Sequence, residues 1–332
     1  MGKKISCTGI KPTGTPHIGN YFGAIKPALE LTEDYDARYF IADYHALNSI
    51  KDPVEIKNST YEVAATWLAC GLDPAKALIY RQSSVQATFE LSTLLMAFTP
   101  KGLMNRAHAY KAITADNLEN NRDADDGVNM GLFTYPILMA ADILQFDSDV
   151  VPVGKDQAQH LEMTVDIAQN INYNYKKELI KIPQALIRDS VATIPGLDGR
   201  KMSKSYNNYI PMFMESNKLR KLIMKIITNS QTVEEPKDPD TCNIFSLFKL
   251  FATKTEIATL RNKYLAGGMG WGSAKKELFE VMDRTLSPLR IRYNEIISDK
   301  SYIDKILDEG SLKAQEIASQ KMNFLRKEIG LG

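Results

Sequence analysis

Apolar segments of two lengths alternate along the first half of the chain. Short runs of the kind that form buried strands occur at residues 4–10, 38–47 and 77–82. Between them lie longer stretches with helical spacing, one over residues 17–35 and one over residues 52–71. This strand–helix–strand–helix–strand order predicts an α/β protein with a parallel sheet and right-handed crossovers. Ligands of such sheets bind at the carboxyl ends of the strands, so we expect the chemistry to lie there.

The remainder of the chain is predicted to be mainly helical. Residues 126–146 form a long apolar stretch that predicts one helix, and a further strand is predicted at residues 149–153. Another helix is predicted over residues 156–172. Beyond residue 205 the pattern becomes amphipathic, with charged residues spread along it, which indicates a second, helical part.

Composition narrows the class of protein. Of the 332 residues, 44% are hydrophobic and 24% are charged, which is typical of a soluble globular protein, and no apolar run is long enough to predict a membrane span. Cys7, Cys70 and Cys242 are widely separated and odd in number, which favours a reducing cytoplasm over a disulfide framework or a zinc site. The net charge is +1, yet residues 206–332 carry 20 Lys/Arg against 16 Asp/Glu. That excess is compatible with chance and with contact between this part and a polyanion.

A turn rich in glycine and proline follows the first predicted strand. Residues 8–20 read TGIKPTGTPHIGN and lead from a strand into a helix, whose first N–H groups can bind phosphate. Gly14 and Gly19 would let a nucleotide approach the backbone closely, and His17 and Asn20 can donate hydrogen bonds to phosphate or ribose. The segment is neither a Walker A loop nor a dinucleotide G-x-G-x-x-G motif. Taken by itself, it is also compatible with a purely structural turn.

A second segment, KMSKS at residues 201–205, combines cations with a flanking glycine-containing loop. One interpretation is a solvated basic loop. The other is a mobile loop in which Lys201 and Lys204 neutralise charge that develops on a polyphosphate. Together, PHIGN at residues 16–20 and KMSKS about 180 residues later resemble the two signatures of class I aminoacyl-tRNA synthetases. The resemblance implies ATP with Mg²⁺, in-line attack of an amino acid carboxylate on the α-phosphorus, and catalytic roles for Lys201, Lys204, His17 and Asn20.

A third segment bears on the choice of amino acid. Tyr135, Met139 and Asp142 are spaced i, i+4, i+7 in GLFTYPILMAADILQF, so they share one face of the predicted helix. An aspartate among apolar neighbours is costly to bury unless it is paired. A capping or salt-bridged aspartate is one interpretation. The other is an acceptor for a ligand donor such as an indole N–H, with Tyr135 and Met139 as the walls of the pocket.

The third segment and the residues after it closely resemble tryptophanyl-tRNA synthetases, as does IADYHAL at residues 41–47. The resemblance covers nearly the whole chain. It implies a Rossmann-like catalytic domain over residues 1–205 and a smaller α-helical, tRNA-binding domain over residues 206–332. The last helices, from about Ser287, are expected to pack on the catalytic domain. The implied reaction is ATP-dependent formation of tryptophanyl-adenylate and transfer to tRNA(Trp), by a homodimer in the cytoplasm.

By the same resemblance, Asp142 binds the indole N–H and further residues surround the two substrates. The implied tryptophan-binding residues are Cys7, His45, Tyr135, Met139, Asp142, Ile143, Val151, Val153 and Gln157. The implied ATP-binding residues are Lys11, Gly14, Gly19, Asn20, Gly154, Asp156, Gln157, Met202, Ser203 and Lys204.

Some positions depart from the family pattern. Lys11 stands where many bacterial members have Gln, and Cys7 stands where they often have Phe, which suggests a divergent branch with altered affinity or inhibitor response. Residues 99–128 match poorly, and Lys111 is the candidate for a phosphate contact there. Two alternatives stay open. A tyrosyl-type synthetase is disfavoured by Met139 and Asp142, and a non-catalytic paralogue that binds tryptophan or RNA is disfavoured by the retained lysine loop.

Overall fold

A parallel sheet forms the centre of the first half of the molecule. The computed structural model describes residues 2–12, 14, 16–154, 158–187 and 194–332. Within these ranges the sheet strands are β1 (Ile5–Ile10), β2 (Asp36–Ile41), β3 (Ala77–Arg81), β4 (Val150–Val153) and β5 (Gln184–Ile187). Their order across the sheet is β3-β2-β1-β4-β5, and every neighbouring pair is parallel. The predicted α/β class and the parallel sheet are therefore confirmed.

Helices connect these strands. They are α1 (Ile18–Asn20), α2 (Lys26–Leu31), α3 (Asp43–Ala46), α4 (Pro53–Ala69), α5 (Gln86–Met96), α6 (Lys101–Met104), α7 (His108–Glu119), α8 (Met130–Leu144) and α9 (Ala158–Tyr175). A π-helical turn, Tyr21–Ile25, joins α1 to α2, so the helix predicted over residues 17–35 is divided and ends earlier. Helix α8 begins at Met130 rather than at residue 126, because the Asn129 side chain accepts a hydrogen bond from Leu132 N at 2.9 Å and caps the helix.

The strand predicted over residues 38–47 was wrong in its second half. Strand β2 ends at Ile41, and Ala42 leaves the extended conformation at φ −82° and ψ 63°. Asp43 then stabilises the turn, since its carboxylate accepts hydrogen bonds from Tyr44 N at 3.0 Å and Ser83 N at 2.9 Å. The chain therefore turns into α3 at the carboxyl end of the sheet, where ligand-binding residues are expected.

Beyond residue 206 the described elements are helical. They are α10 (Ser216–Ile223), α11 (Asn243–Phe251), α12 (Lys254–Ala266), α13 (Trp271–Ser298) and α14 (Lys300–Ile329). Their apolar core is continuous with the start of the chain, because Ile18 and Phe22 belong to the same buried cluster and Phe22 packs edge-on against Phe251 at 4.9 Å. The first turn after β1 is thus held by the helical part of the molecule. No helix in the described ranges is both long enough and apolar enough to cross a membrane.

Helix α14 returns to the sheet and packs closely on β3. A side chain at Gly310 would overlap the carbonyl oxygen of Ile79, so only glycine permits this approach. The contact is completed by Arg81, the last residue of β3, which forms ion pairs with Asp304 and with Asp308, the latter at 2.7 Å. This packing fixes the carboxyl end of β3 beside the candidate site.

Candidate active site

The candidate site lies where the strand order of the sheet reverses. The chain passes from β1 to β2 on one side, whereas β4 pairs with β1 on the other. In open α/β sheets a crevice forms at such a point, outside the carboxyl ends of the strands. The glycine-rich turn after β1 and the exposed Gly154 after β4 both lie at this end.

The two segments with predicted nucleotide chemistry meet in space. Gly14 has a φ of +72°, and a side chain there would approach Lys204 Nζ at 3.3 Å. A side chain at Gly19 would meet the His17 imidazole at 2.8 Å and Met202 Sδ at 3.6 Å. The lysine loop therefore rests on the glycine-rich turn, about 180 residues away in sequence. The absence of a side chain at Gly14 and Gly19 is what lets Lys204, His17 and Met202 approach this turn so closely.

Backbone and side-chain hydrogen bonds hold this junction. Ile18 N donates to Ile210 O at 3.0 Å, which ties the start of α1 to the chain that follows the lysine loop. The buried Asn208 holds the loop itself, because its Oδ1 accepts from Ser203 N at 2.8 Å and its Nδ2 donates to Lys201 O at 3.1 Å. Asn208 was missed in the sequence analysis, because an asparagine in a loop carries no periodic signal that would reveal it.

Charges at the junction influence one another. Burial, and then the charge of Lys204, lower the pKa of His17 to about 4, so its imidazole is neutral at neutral pH. His17 Nδ1 is buried and has no hydrogen-bond partner among the described residues, whereas His17 N donates to Asn20 Oδ1 at 3.0 Å. Desolvation lowers the pKa of Lys204, and the charge of Glu62 opposes that shift. Desolvation also lowers the pKa of Lys11. These groups can donate hydrogen bonds and supply positive charge to an anion.

A second set of contacts surrounds Asp142, which is 0% exposed. His45 Nε2 donates to its Oδ2 at 3.1 Å. Gln82 Nε2 donates to both carboxylate oxygens, at 3.0 Å to Oδ1 and 2.8 Å to Oδ2. Burial raises the pKa of Asp142, and hydrogen bonds from His45 and Gln82 oppose that effect. The structure thus pairs this aspartate with donors rather than with a fixed cation or a helix cap.

Aromatic and apolar side chains adjoin this carboxylate. The Tyr135 hydroxyl forms a hydrogen bond with His160 Nε2, and its ring packs edge-on against His45 at 6.3 Å. Burial raises the pKa of Tyr135 to about 12. Met139 and Val153 are partly buried and pack against the same core. Tyr135 and Met139 thus place an aromatic ring and a thioether four residues apart on α8, a combination that suits a flat aromatic ligand.

The other predicted pocket residues lie deeper. Cys7, Ile143 and Val151 belong to the buried core beside Asp142. Cys7 Sγ donates to the backbone oxygen of Asp142 at 3.6 Å, and burial, followed by the charge of Asp142, raises the thiol pKa to about 12. Cys7 therefore acts here as a small packing group in its protonated form.

Several predicted residues are not brought into these contacts. Asp156 and Gln157 lie outside the described residues. Lys111 is exposed on α7, and Lys201 is exposed at the start of the lysine loop. Gln82 was missed in the sequence analysis, although its position at the carboxyl end of a predicted strand is a signal that could have found it.

This fold and this pair of contacting signatures define a class I aminoacyl-tRNA synthetase. The family model described as tRNA synthetases class I (W and Y) matches residues 2–287, and the chain belongs to this family. It falls among the bacterial tryptophan–tRNA ligases. The Bordetella pertussis tryptophan–tRNA ligase is 50% identical over 328 residues, which cover 98% of this chain and 72% of that protein. The Pseudomonas aeruginosa ligase is 49% identical, over 98% of this chain and 73% of its own length.

A solved structure agrees with the sequence relatives. The tryptophanyl-tRNA synthetase of Campylobacter jejuni, complexed with ADP and tryptophan, is 42% identical and superposes with a TM-score of 0.89. The match covers 98% of this chain and 100% of that one. The Rossmann-like fold inferred from the resemblance is therefore confirmed.

Proposed function

We propose that this chain activates L-tryptophan with ATP and then transfers it to tRNA(Trp). In the first step a carboxylate oxygen of tryptophan attacks the α-phosphorus of ATP, the new O–P bond gives tryptophanyl-adenylate, and the bond from the α-phosphorus to the bridging oxygen breaks so that pyrophosphate leaves. In the second step a ribose hydroxyl of the tRNA attacks the adenylate carbonyl and AMP leaves. The single observation that carries the proposal is that the lysine loop contacts the glycine-rich turn, in a fold that also buries the Asp142 carboxylate against hydrogen-bond donors from His45 and Gln82.

The nucleotide half of the site supplies charge and space. Gly14 and Gly19 allow Lys204 and His17 to lie directly against the turn that would hold the phosphates. Lys201 belongs to the same short loop and is exposed to solvent, so it can reach the leaving pyrophosphate. Mg²⁺ enters with ATP as part of the substrate and shares this neutralisation. Because the chemistry is displacement at phosphorus, positioned positive charge contributes most of the rate.

The amino acid half of the site favours an indole. The Asp142 carboxylate can only accept hydrogen bonds while it is ionised, and an indole N–H can only donate them. Tyr135 and Met139 supply the apolar walls. A tyrosine side chain would bring a hydroxyl that must both donate and accept to be satisfied. The neighbours Gln82 and His45 already use their donors on Asp142, which favours tryptophan over tyrosine.

Further parts of the assignment rest on charge and resemblance. We propose that residues 1–205 form the catalytic domain and that residues 206–332 contact the tRNA backbone, since the latter carry more Lys/Arg than Asp/Glu. A homodimer and a cytoplasmic location are proposed with them. Three free cysteines are compatible with a reducing compartment.

Charging of tRNA tests the complete proposal. The purified chain, incubated with ATP, Mg²⁺, tRNA and labelled tryptophan, should transfer label to acid-precipitable tRNA. Labelled tyrosine should not be transferred. If the helical part binds the backbone, charging should be more sensitive to salt than adenylate formation, because phosphate contacts release counterions. Equal salt dependence of the two steps would contradict the role given to residues 206–332.

A further inference from the structure

Gln82 is the first residue after β3, and its side chain is completely buried between α3 and α8. Both ends of its amide are used. The Oε1 atom accepts hydrogen bonds from the backbone N–H groups of Tyr44 at 3.2 Å and His45 at 3.4 Å. The Nε2 atom donates to both oxygens of Asp142. The glutamine thus connects the first turn of α3 to the carboxylate on α8.

We propose that Gln82 is a positioning residue that sets the orientation of the Asp142 carboxylate for recognition of the indole N–H. This inference rests on the proposed function and deepens it. Gln82 does not need to touch tryptophan, because it acts through the carboxylate that does.

The orientation of the amide is determined by its partners. If the oxygen and nitrogen of Gln82 exchanged places, its NH₂ group would face the N–H groups of Tyr44 and His45, and its oxygen would face a carboxylate. Both contacts would then be repulsive. Arg81, the preceding residue, is held by Asp304 and Asp308, so the backbone that carries Gln82 is also fixed.

The two oxygens of Asp142 accept different numbers of hydrogen bonds. Among the described residues, Oδ2 accepts hydrogen bonds from both Gln82 and His45, whereas Oδ1 accepts only from Gln82. Oδ1 therefore keeps the greater capacity to accept the indole N–H. The same donors favour the ionised carboxylate against the effect of burial. A protonated Asp142 would present a hydroxyl donor to a ligand group that can only donate.

Replacement of Gln82 by Met tests this inference, because Met nearly preserves the volume and removes the amide. Gln145 offers a matched control. It is also buried, and its Nε2 donates to the backbone oxygen of Asp142 at 3.3 Å rather than to the carboxylate. We expect Gln82→Met to raise the KM for tryptophan by about 10- to 100-fold, the loss expected for a hydrogen bond to a charged group. Gln145→Met should leave that KM within about threefold of wild type, as expected for a bond to a neutral group.

A tryptophan analogue with sulfur in place of the indole nitrogen separates positioning from packing. Wild type and Gln145→Met should prefer tryptophan to the analogue in kcat/KM, and Gln82→Met should lose most of that preference. The KM for ATP should remain within about twofold in both variants, since neither side chain contacts the nucleotide turn. If Gln82→Met does not fold, Gln82→Asn replaces it, because the shorter amide cannot make both contacts.

Two results would overturn the inference. One is an unchanged KM for tryptophan in Gln82→Met. The other is an equal loss for tryptophan and the sulfur analogue, which would show that Gln82 only fills space. Absence of tryptophan-dependent activity in the wild type would instead refute the proposed function, before either variant is considered.

Discussion

Replacement of Asp142 by Ala removes the carboxylate at the centre of the amino acid pocket. In the folded protein this carboxylate is fully buried and accepts hydrogen bonds from Gln82 and His45. The substitution leaves both of these donors without their acceptor. It also removes a charge from an apolar environment, which offsets part of the loss.

The structure sets the expected magnitudes. Each buried donor without a partner costs roughly 1–3 kcal/mol, and relief of the buried charge reduces the total, so we expect the free energy of unfolding to fall by about 1–3 kcal/mol. The hydrogen bond from the indole N–H to a charged acceptor contributes about 1.5–3 kcal/mol to binding. Its loss should therefore raise the KM for tryptophan by about 10- to 150-fold.

The assay is ATP–pyrophosphate exchange at saturating ATP over a range of tryptophan concentrations. The KM for ATP should change by no more than about twofold, because the turn at Gly14 is separate from the carboxylate. Asp149→Ala is the matched control. Its carboxylate is also hydrogen-bonded, to Ile5 N at 2.8 Å and to Lys181 at 2.6 Å, but it lies at the opposite end of the sheet. We expect Asp149→Ala to lower stability without changing the KM for tryptophan.

Asp142→Asn should be less harmful than Asp142→Ala. Its amide nitrogen can donate to His45 Nε2 if the imidazole proton moves to Nδ1, and its oxygen can still accept from Gln82 and the indole. We expect the KM for tryptophan to rise by about tenfold or less, the difference between a charged and a neutral acceptor. An unchanged KM in Asp142→Ala, or equal effects of Asp142→Ala and Asp149→Ala, would refute the assignment of Asp142.

Other parts of the molecule give further predictions. Lys204→Ala should lower the kcat of pyrophosphate exchange by roughly 10²- to 10³-fold with little change in the KM for tryptophan. An unaffected kcat would show that the loop is only a solvated surface. The His17 pKa of about 4 lies below its ordinary value of 6.5, so protons bind the unfolded chain more tightly. We therefore expect the free energy of unfolding of wild type, measured in urea relative to that of His17→Gln, to decrease as the pH falls from 6.5 towards 4. A difference between the two proteins that does not change with pH would contradict this. Gly310→Ala should lower the free energy of unfolding by about 1–3 kcal/mol or more, since the added methyl group would overlap the carbonyl oxygen of Ile79. Gly272→Ala, with open space around it, should be neutral or stabilising.

The sheet could be predicted because its strands are short apolar runs separated by helical spacing. Strand β5 was missed because its described residues, QALI, show no strong alternating pattern. The strand predicted over residues 38–47 was too long because the Asp43 carboxylate accepts a hydrogen bond from Ser83 N, forty residues away, and stabilises the turn after β2. A contact of that kind is tertiary, so local hydrophobicity does not reveal it.

The candidate site shows the same division between local and tertiary information. Asp142 could be singled out because a carboxylate on an apolar helix needs a partner, and its helix face also carries Tyr135 and Met139. Gln82 stands at the end of a predicted strand, but the sequence alone did not show which of the consecutive polar residues Arg81, Gln82 and Ser83 faces Asp142. That the lysine loop and the glycine-rich turn act on the same nucleotide was expected only through resemblance to a family, and their direct contact was not predicted.

The central claim is that this chain selects tryptophan and activates it with ATP. The most direct test is ATP–pyrophosphate exchange by the purified wild-type protein in the absence of tRNA, measured with each of the twenty amino acids in turn. We predict exchange that depends on tryptophan, with tyrosine giving far less at the same concentration. Exchange with tyrosine that equals or exceeds exchange with tryptophan would contradict the specificity assigned to Asp142, and absence of exchange with every amino acid would contradict the catalytic assignment itself.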